Sequence, residues 1–384
     1  MKSIALLGSS GSIGESTLAV VRHLPERFRV VALSTHSNTA VLLKQIKEFR
    51  PLSVNVVDYD AARRIRPLLP RKVKLYVGKE GLEEIVCQKS IDQVLIAVSG
   101  AGALSPLLKA IEAKKEIALA NKEALVMAGP LVRERARRYK VTLLPIDSEQ
   151  SAIWQCLEGE DPTRLKTIYL TASGGPLRTL ARKALPGVSI ARVLQHPRWR
   201  MGKKITVDSA TLMNKGLELL EAMALFGVDS KKVKVVIHPE AIVHSMVEFI
   251  DGVVMAQLSA TDMRIPIQYA LSYPQRIANR FPVLNFYRMQ ALHFQRPCVK
   301  RFPCLGLAYQ AAHALGTMPC VLNAANEVCV RSFLERRISF VAIAQVVEKV
   351  MRGHKTVRNP GLGEIYAADT WARQKAHEVI SRAH

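Results

Sequence analysis

Two acidic residues in a strongly basic chain are the first candidates for chemistry. Asp147 and Glu149 stand two positions apart, directly after the strand-like residues 141–144, although the chain has a formal net charge of +23. Two carboxylates at the end of a buried strand lose solvation and repel each other, which costs free energy unless a cation lies between them. That cation is either a structural Arg or Lys side chain or a divalent metal ion.

A third carboxylate interrupts an otherwise apolar segment, residues 205–226. The pattern predicts a strand at 205–207 and then a helix that is apolar almost all round, which is typical of a buried helix. Polar side chains spaced three or four residues apart share one face of this helix: Asn214, Lys215, Glu218 and Glu221. One interpretation is a Lys–Glu pair on a solvated face. We favour a face that lines a wet cavity, because nearly every other position is apolar.

In the second interpretation Glu218 joins Asp147 and Glu149. Three carboxylates form an all-oxygen set, and oxygen ligands suit a hard divalent ion such as Mg²⁺ or Mn²⁺. The three residues come from separate segments of the chain. Their convergence on one ion is therefore a hypothesis.

Three further segments carry groups that bind anions. Ser-Gly-Gly at residues 173–175 follows a predicted strand and can present backbone N–H groups to a phosphate. Asn-Lys-Glu at residues 121–123 stands at the carboxyl end of another strand. Residues 196–202 combine a histidine, a tryptophan and a glycine, which suits a loop that closes over a ligand. Taken singly, each segment is more often a turn, a helix start or a packed indole.

A glycine-rich loop follows the first predicted strand. Residues 8–14 read Gly-Ser-Ser-Gly-Ser-Ile-Gly and open a helix, with a spacing one residue longer than the commonest dinucleotide motif. Glycines allow the backbone to approach a pyrophosphate, whose charge the helix N-terminus favours. A tight turn is the alternative, but the strand-loop-helix context favours a dinucleotide-binding loop.

The end of the second predicted strand distinguishes between the two nicotinamide cofactors. Enzymes that use NAD place Asp or Glu there to bind the ribose 2′-hydroxyl. This chain has Ser-Thr-His-Ser-Asn at residues 34–38, so a 2′-phosphate meets hydroxyls, the His36 imidazole and the Asn38 amide instead of a carboxylate. The segment favours NADP.

The predicted elements give the fold class, α/β. Strands and helices alternate through residues 1–146, which predicts a Rossmann-like dinucleotide-binding domain with a parallel sheet covered on both faces. Residues 147–272 mix helices and strands and are predicted to form a central α+β catalytic domain with a flap at about 173–203. A linker at 273–304 collects four prolines, and residues 305–384 are predicted to form a C-terminal helical bundle.

Composition limits the class of protein. A chain of 384 residues with 49% hydrophobic and 23% charged residues is a folded protein of two or three domains. No apolar run approaches the ~20 residues of a membrane span, and a strand-like segment at Ile4 leaves no room for a signal peptide, so we expect a cytoplasmic protein. Six cysteines without a C-x-x-C pair indicate reduced thiols. The basic excess, spread without long blocks, favours phosphorylated small ligands over nucleic acid.

Together these segments resemble the 1-deoxy-D-xylulose 5-phosphate reductoisomerase family, from Ile4 to the C-terminal helices. Eight segments in the family's order and spacing carry the resemblance: Gly-Ser-Ser-Gly-Ser-Ile-Gly at 8–14, Ala-Asn-Lys-Glu at 120–123, Ile-Asp-Ser-Glu at 146–149, Ser-Gly-Gly-Pro at 173–176, and the segments 196–202, 207–221, 237–247 and 321–327. The resemblance implies conversion of 1-deoxy-D-xylulose 5-phosphate and NADPH to 2-C-methyl-D-erythritol 4-phosphate in the non-mevalonate isoprenoid route. It also implies a homodimer dependent on Mg²⁺, Mn²⁺ or Co²⁺, with a dimer interface in the central domain.

The resemblance further implies roles for individual residues. The implied metal ligands are Asp147, Glu149 and Glu218, and Lys122 joins them as a catalytic residue close to the reacting carbons. The implied substrate-binding residues are Ser148, Glu149, Ser173, His196, Ser209, Asn214, Lys215 and Glu218. The implied cofactor-binding residues are Ser10, Gly11, Ser12, Ile13, His36, Ser37, Asn38, Asn121, Lys122, Glu123 and Gly202. The flap residues are Trp199 and Met201.

The chain departs from the family locally. Ser10 stands where Thr is common and keeps the hydroxyl, and Ala172 stands where Gly is common. His36 and Ser37 replace a Gly-Lys pair of some members, so the contact with the 2′-phosphate is the least secure inference from the resemblance.

Three other interpretations are open. The first is another NADP-dependent dehydrogenase, acting on a small phosphorylated or semialdehyde substrate without a metal. The second is a basic nucleic-acid-binding protein, supported only by the net charge. The third is a zinc site at His238 and His244, although the apolar residues around them better fit an interface or a core strand.

Overall fold

The structure, a computed structural model, describes residues 1–199, 201–289 and 291–382. Arg200 of the predicted flap, Gln290 of the predicted linker and the last two residues of the predicted C-terminal domain lie outside the described residues. The chain divides into two compact units. The first unit contains Met1–Ala124, Val132–Ser151 and Asp262–Pro282. The second unit contains Leu125–Leu131, Ala152–Thr261 and Val283–His384.

Strands in the described residues form two sheets. Seven belong to the first unit: β1 (Lys2–Leu7), β2 (Phe28–Thr35), β3 (Ser53–Val56), β4 (Lys74–Val77), β5 (Gln93–Ile96), β6 (Glu116–Leu119) and β7 (Leu143–Pro145). Four belong to the second unit: β8 (Leu165–Ala172), β9 (Val233–Ile237), β10 (Val243–Phe249) and β11 (Val254–Leu258).

The α-helices, in chain order, complete the set of regular elements. Those up to the second sheet are α1 (Ser12–His23), α2 (Thr39–Phe49), α3 (Tyr59–Ile65), α4 (Gly78–Val86), α5 (Leu104–Glu112), α6 (Lys122–Tyr139), α7 (Ser148–Leu157), α8 (Ile190–Val193), α9 (Lys203–Thr211) and α10 (Met213–Phe226). Those after it are α11 (Arg264–Ser272), α12 (Pro303–Ala314), α13 (Met318–Leu334), α14 (Phe340–Arg352) and α15 (Leu362–Ser381).

The first unit is a parallel sheet with the strand order β4-β3-β2-β1-β5-β6-β7. Every strand pair in it is parallel. The central strands are short and apolar on both faces, as expected for a sheet covered by helices on both sides. The chain reverses its direction across the sheet between β1 and β5, and ligands of such sheets bind at the carboxyl ends of the strands at this point. The predicted Rossmann-like domain is confirmed.

The second unit is built around a mixed sheet with the order β11-β10-β8-β9. Strand β8 is parallel to β9, whereas β10 is antiparallel to both β8 and β11. Helices α12 to α15 share one hydrophobic core with α10, which confirms the predicted helical segment after residue 305. The predicted α+β centre of the chain is also confirmed.

One predicted strand is wrong. Residues 205–207 lie inside helix α9, whose first turn begins after Gly202. The β-branched residues there favour a strand locally, but the Thr206 hydroxyl donates to the Gly202 carbonyl at 2.9 Å, and Thr206 and Val207 are buried by tertiary packing. Burial of this face decides the helix, because local propensity is a weak preference.

The domain boundaries inferred from sequence differ from the two units in one place. Helix α11 belongs to the first unit, although the predicted central domain extends to residue 272. Gln93 Nε2 donates to the Ala270 carbonyl at 2.9 Å, and Lys2 Nζ donates to the Leu271 carbonyl at 3.1 Å. The division into four segments stays a prediction. In the part of the chain that the structure describes, no helix is both long and apolar enough to cross a membrane.

Candidate active site

The glycine loop is shaped by close backbone contacts. Gly8 has φ +85°, and a Cβ atom there would lie 2.7 Å from the Ala97 carbonyl oxygen at the end of β5. A Cβ atom on Gly14 would lie 2.5 Å from the Gly8 carbonyl oxygen. Helix α1 begins after Gly11 without a capping side chain. Its first N–H groups are therefore oriented for an anion rather than for a capping hydroxyl.

The serines of this loop fasten it to the end of β2. Ser9 N donates to the Ser34 carbonyl at 2.8 Å, and the Ser10 and Thr35 hydroxyls lie 2.6 Å apart. The buried Ser9 hydroxyl also donates to Gln45 Oε1 at 2.6 Å. These contacts hold the loop at the edge where β1 and β2 end, which is where the sequence predicted a dinucleotide.

His36, Ser37 and Asn38 lie exposed directly after β2. Asn38 Oδ1 caps α2 by accepting from Val41 N at 3.3 Å. The sequence analysis missed Asp58 beside this segment: its N–H donates to the His36 carbonyl at 2.9 Å. Asp58 follows β3, which neighbours β2 in the sheet, so the strand order was the signal that could have found it. Its Oδ1 accepts from Ala61 N at 2.7 Å and caps α3.

Asn121 joins the ends of two central strands. It is 2% exposed and caps α6, with Oδ1 accepting from Ala124 N at 2.8 Å. Its Nδ2 donates to the Val98 carbonyl at 2.8 Å and to Glu123 Oε2 at 3.1 Å. The buried amide therefore fixes the first turn of α6 and, with it, the place of Lys122.

Lys122 and Asp147 meet because they follow neighbouring parallel strands, β6 and β7. Lys122 Nζ lies 2.8 Å from Asp147 Oδ2, with side chains 7% and 12% exposed. Carboxylate oxygens of Asp147 and Glu149 lie within 4.8 Å of one another. Glu149 also accepts from the Ser148 hydroxyl at 2.5 Å. A lysine thus supplies the cation that the sequence required, and the paired carboxylates keep a spacing that fits a divalent ion after small side-chain rotations.

A Gly-Gly loop after β8 forms part of the second unit's polar cluster. Gly174 and Gly175 have φ +83° and +70°, a conformation that favours glycine. Gly175 N donates to the Ser173 hydroxyl at 3.2 Å. A Cβ atom on Gly175 would lie 2.5 Å from the Ser209 carbonyl oxygen, so the loop packs directly on helix α9.

His196 has one defined tautomer. Its Nδ1 accepts from Trp199 N at 2.9 Å and from Arg198 N at 3.2 Å, so the ring proton lies on Nε2. That Nε2 is 3.1 Å from the Ser173 hydroxyl. Burial, together with the charge of Lys215, lowers the pKa of His196 to about 4. The imidazole is therefore neutral at physiological pH and offers Nε2–H as a donor.

The predicted flap contacts the turn between β9 and β10. The rings of Trp199 and His244 lie 6.4 Å apart, centroid to centroid, and Arg198 Nε donates to the Pro239 carbonyl at 3.1 Å. Met201 is half-buried, and Gly202, which is exposed, stands at the N-cap of α9. The flap therefore leads directly into the helix that carries Ser209, which is itself half-buried.

The polar residues of α10 are buried. Lys215 is 5% and Glu218 1% exposed, so the interpretation of a solvated face is wrong. Lys215 Nζ donates to Glu218 Oε2 at 2.6 Å, and Asn214 Nδ2 donates to Glu218 Oε1 at 2.5 Å. Two donors balance the buried carboxylate, which would otherwise be costly.

The possible zinc histidines have structural contacts. His238 is fully buried, and its Nε2 accepts from Ile242 N and Val243 N, both at 3.2 Å. Its Nδ1 is 3.0 Å from the His293 carbonyl oxygen, so it donates there. Both ring nitrogens are used by the backbone. Among the described residues, no histidine or cysteine belongs to a group with metal-ligand spacing.

Three sequence profiles of one family match the chain. The profile described as 1-deoxy-D-xylulose 5-phosphate reductoisomerase matches residues 4–129, its C-terminal domain matches residues 143–226, and the profile described as DXP reductoisomerase C-terminal domain matches residues 258–375. Together they extend over both units.

Curated proteins and solved structures give the same result over nearly the whole chain. The 1-deoxy-D-xylulose 5-phosphate reductoisomerase of Pelotomaculum thermopropionicum is 48% identical and that of Caldanaerobacter subterraneus is 50% identical, covering 99% and 98% of each chain, respectively. The enzyme of Zymomonas mobilis, solved with NADPH, is 36% identical with a TM-score of 0.92, covering 99% of each chain. A reductoisomerase solved with NADPH, fosmidomycin and magnesium is 39% identical with a TM-score of 0.93, covering 99% of this chain and 98% of that one. The chain therefore belongs to the 1-deoxy-D-xylulose 5-phosphate reductoisomerase family.

Proposed function

We propose that the chain converts 1-deoxy-D-xylulose 5-phosphate to 2-C-methyl-D-erythritol 4-phosphate, with NADPH as the reductant and a divalent metal ion. Its membership of the reductoisomerase family is the observation that carries this function. Related structures that hold NADPH and magnesium support the two cofactors. Each group of residues then has a task that follows from its own contacts.

The metal ion is assigned to Asp147, Glu149 and Glu218. The first two fit because their carboxylate oxygens are close together and all-oxygen donors suit Mg²⁺ or Mn²⁺. Glu218 is the carboxylate of α10 that the family resemblance adds to them. When bound, the ion supplies positive charge that stabilises a developing oxyanion. Lys215 and Asn214 hold the Glu218 carboxylate in one orientation, so it needs little reorganisation.

The phosphate of the substrate is assigned to the polar cluster of the second unit. Ser173 and His196 Nε2 are already within hydrogen-bond distance of each other, and the neutral imidazole is a donor. A phosphate accepts hydrogen bonds and favours nearby cations. The substrate-binding residues of this proposal are Ser148, Ser173, His196, Ser209, Asn214 and Lys215.

Lys122 is assigned to the reacting carbons. Its ammonium group is nearly buried and pairs with Asp147, so it is held in place by a residue assigned to the metal. In this position Lys122 Nζ donates to an oxygen that gains charge while the carbon skeleton rearranges and the product aldehyde is reduced. Asn121 orients it through the first turn of α6.

NADPH is assigned to the carboxyl ends of β1, β2 and β6. The N–H groups of α1 favour the pyrophosphate, and the exposed segment after β2 favours the 2′-phosphate. The Asp58 carboxylate beside that segment caps α3, which turns it away from the role it has in enzymes that use NAD. The cofactor-binding residues of this proposal are Ser10, Gly11, Ser12, Ile13, His36, Ser37, Asn38, Asn121, Lys122, Glu123 and Gly202.

The flap residues Trp199 and Met201 are assigned to covering the bound ligands. Their segment joins the phosphate cluster at His196 and helix α9 at Gly202. Binding of the phosphate can therefore order the flap, because the same residues contact both.

A homodimer and a cytoplasmic location complete the proposal. Strand β11 lies at the edge of its sheet and exposes apolar side chains, including Val254 at 49% and Met255 at 40%. An exposed apolar edge strand is a ready site for pairing with a second chain. We expect light scattering to give the mass of a dimer and Val254→Lys to shift it toward the monomer. A monomeric wild-type protein would contradict the dimer.

NADPH oxidation with 1-deoxy-D-xylulose 5-phosphate and Mg²⁺, followed by identification of the product, tests the activity. We expect 2-C-methyl-D-erythritol 4-phosphate in the same amount as the NADPH consumed. NADPH oxidation with the unrearranged carbon skeleton, or none at all, would contradict the proposal.

A further inference from the structure

A buried hydrogen-bond cluster connects helix α9 to helix α13. Asp208 of α9 is 1% exposed, and its Oδ1 accepts from Asn326 Nδ2 at 2.8 Å. Lys204 Nζ lies 2.8 Å from the other carboxylate oxygen, Asp208 Oδ2. Asn326 is fully buried. Asp208 and Asn326 are not among the ligand residues assigned above, so the cluster has a separate task.

The position of Asp208 in the chain indicates that task. It directly precedes Ser209, and α9 starts directly after Gly202 in the flap. Gly175 packs against the Ser209 carbonyl from the opposite loop. The rotation of α9 about its own axis therefore determines where the Ser209 hydroxyl points and from where the flap departs.

Helix α9 cannot fix this rotation alone. It has nine residues, which is too short for a stable isolated helix. Its buried apolar side chains hold it against the core, but apolar contact is not directional. The hydrogen bond from Asn326 is directional, and a buried carboxylate that lost both donors would be strongly unfavourable. The Asp208 cluster thus selects one rotation of α9.

We propose that Asp208 and Asn326 are positioning residues for the phosphate of the substrate. They act through Ser209 and the Gly202 end of the flap and do not touch the ligand themselves. This inference rests on the proposed function. It predicts that breaking the cluster weakens substrate binding while NADPH binding, which depends on the loop after β1, is unaffected.

Asn326→Ala tests the inference, with Asn323→Ala as the matched control. Both asparagines are fully buried on α13, but Asn323 Nδ2 donates to Glu327 Oε1 of the same helix at 3.2 Å and not to α9. We expect Asn326→Ala to raise the KM for the substrate about tenfold, with the KM for NADPH changed by less than about twofold. Asn323→Ala should lower thermal stability to a similar degree and leave both KM values unchanged. An equal rise in both variants, or none in Asn326→Ala, would overturn the inference.

A polarity swap covers the case in which Asn326→Ala does not fold. Asn326→Asp alone brings two carboxylates together, and we expect the same rise in substrate KM. Adding Asp208→Asn restores a hydrogen bond of reversed polarity and should return the KM to within about threefold of the wild-type value. A double variant that recovers neither folding nor KM counts against the inference. A wild-type protein without turnover would instead contradict the proposed function.

Discussion

The two units hold their polar side chains in different ways. In the first unit, Lys122 and Asp147 follow neighbouring parallel strands, so the topology of the sheet brings their side chains within 2.8 Å. In the second unit, Lys215 and Glu218 share one face of a helix that is otherwise apolar, and both are buried. The strand ends lie at an edge that ligands reach, whereas the helix face is enclosed by the core.

This difference predicts how each unit tolerates change. At a strand end, a lost side chain can be replaced by water or ligand, so the effect should be confined to the ligand bound there. On the buried face of α10, a lost donor leaves a carboxylate without compensation, which costs more. The following experiments test whether the units behave so differently, beginning with the largest expected effect.

Removal of the metal should abolish turnover and leave NADPH binding intact. The carboxylates assigned to the ion then lack the charge that stabilises the oxyanion, whereas the glycine loop needs no metal. EDTA treatment followed by assays of NADPH oxidation and of NADPH fluorescence measures both. Added Mg²⁺ or Mn²⁺ should restore turnover. Full activity in EDTA would favour a dehydrogenase without a metal.

Glu218→Gln should lower kcat about a hundredfold or more. The amide keeps the shape of the side chain but removes the negative charge that Lys215 and the proposed ion share. Glu221→Gln, three residues further along α10 and equally buried, is the matched control and should keep kcat within about tenfold. NADPH affinity should be unchanged in both. Normal turnover of Glu218→Gln would remove this residue from the metal site.

A pair of serine variants tests whether the units bind different ligands. Ser209→Ala should raise the KM for the substrate about tenfold, and Ser10→Ala should raise the KM for NADPH by a similar factor, because each loses one hydrogen bond to a phosphate group. Steady-state kinetics with each ligand varied in turn measures both values. If either variant changed the two KM values equally, the separation of tasks between the units would be incorrect.

The pH dependence of stability gives the smallest effect. Burial and Lys215 lower the pKa of His196 from 6.5 to about 4. Between these values the unfolded chain binds a proton that the folded chain does not, so stability falls as the pH falls through this window. We expect His196→Gln to reduce the loss between pH 7 and 4.5 by about 1–2 kcal/mol in urea unfolding, allowing for solvent screening. His36→Gln, an exposed histidine, is the control.

Local patterns predicted the first unit well. The strand-loop-helix start, the glycine spacing and the alternation of elements all depend on residues close together in sequence, and the structure agrees with them. The strand predicted at 205–207 was wrong because burial against α13 and the core, not β-branching, decides the conformation of α9. Asp58 was missed because it adjoins His36 only through the pairing of β3 with β2.

The sequence by itself determined the glycine loop, the carboxylates, the stripe on α10 and the family, because these reside in residue types and short spacings. Tertiary structure alone decided that Lys122 pairs with Asp147, that His196 is a neutral donor through Nε2, and that Asp208 is held by Asn326 from a helix more than a hundred residues away. These are contacts between distant segments. Their free energies depend on burial and on donor geometry, which packing of the whole chain creates.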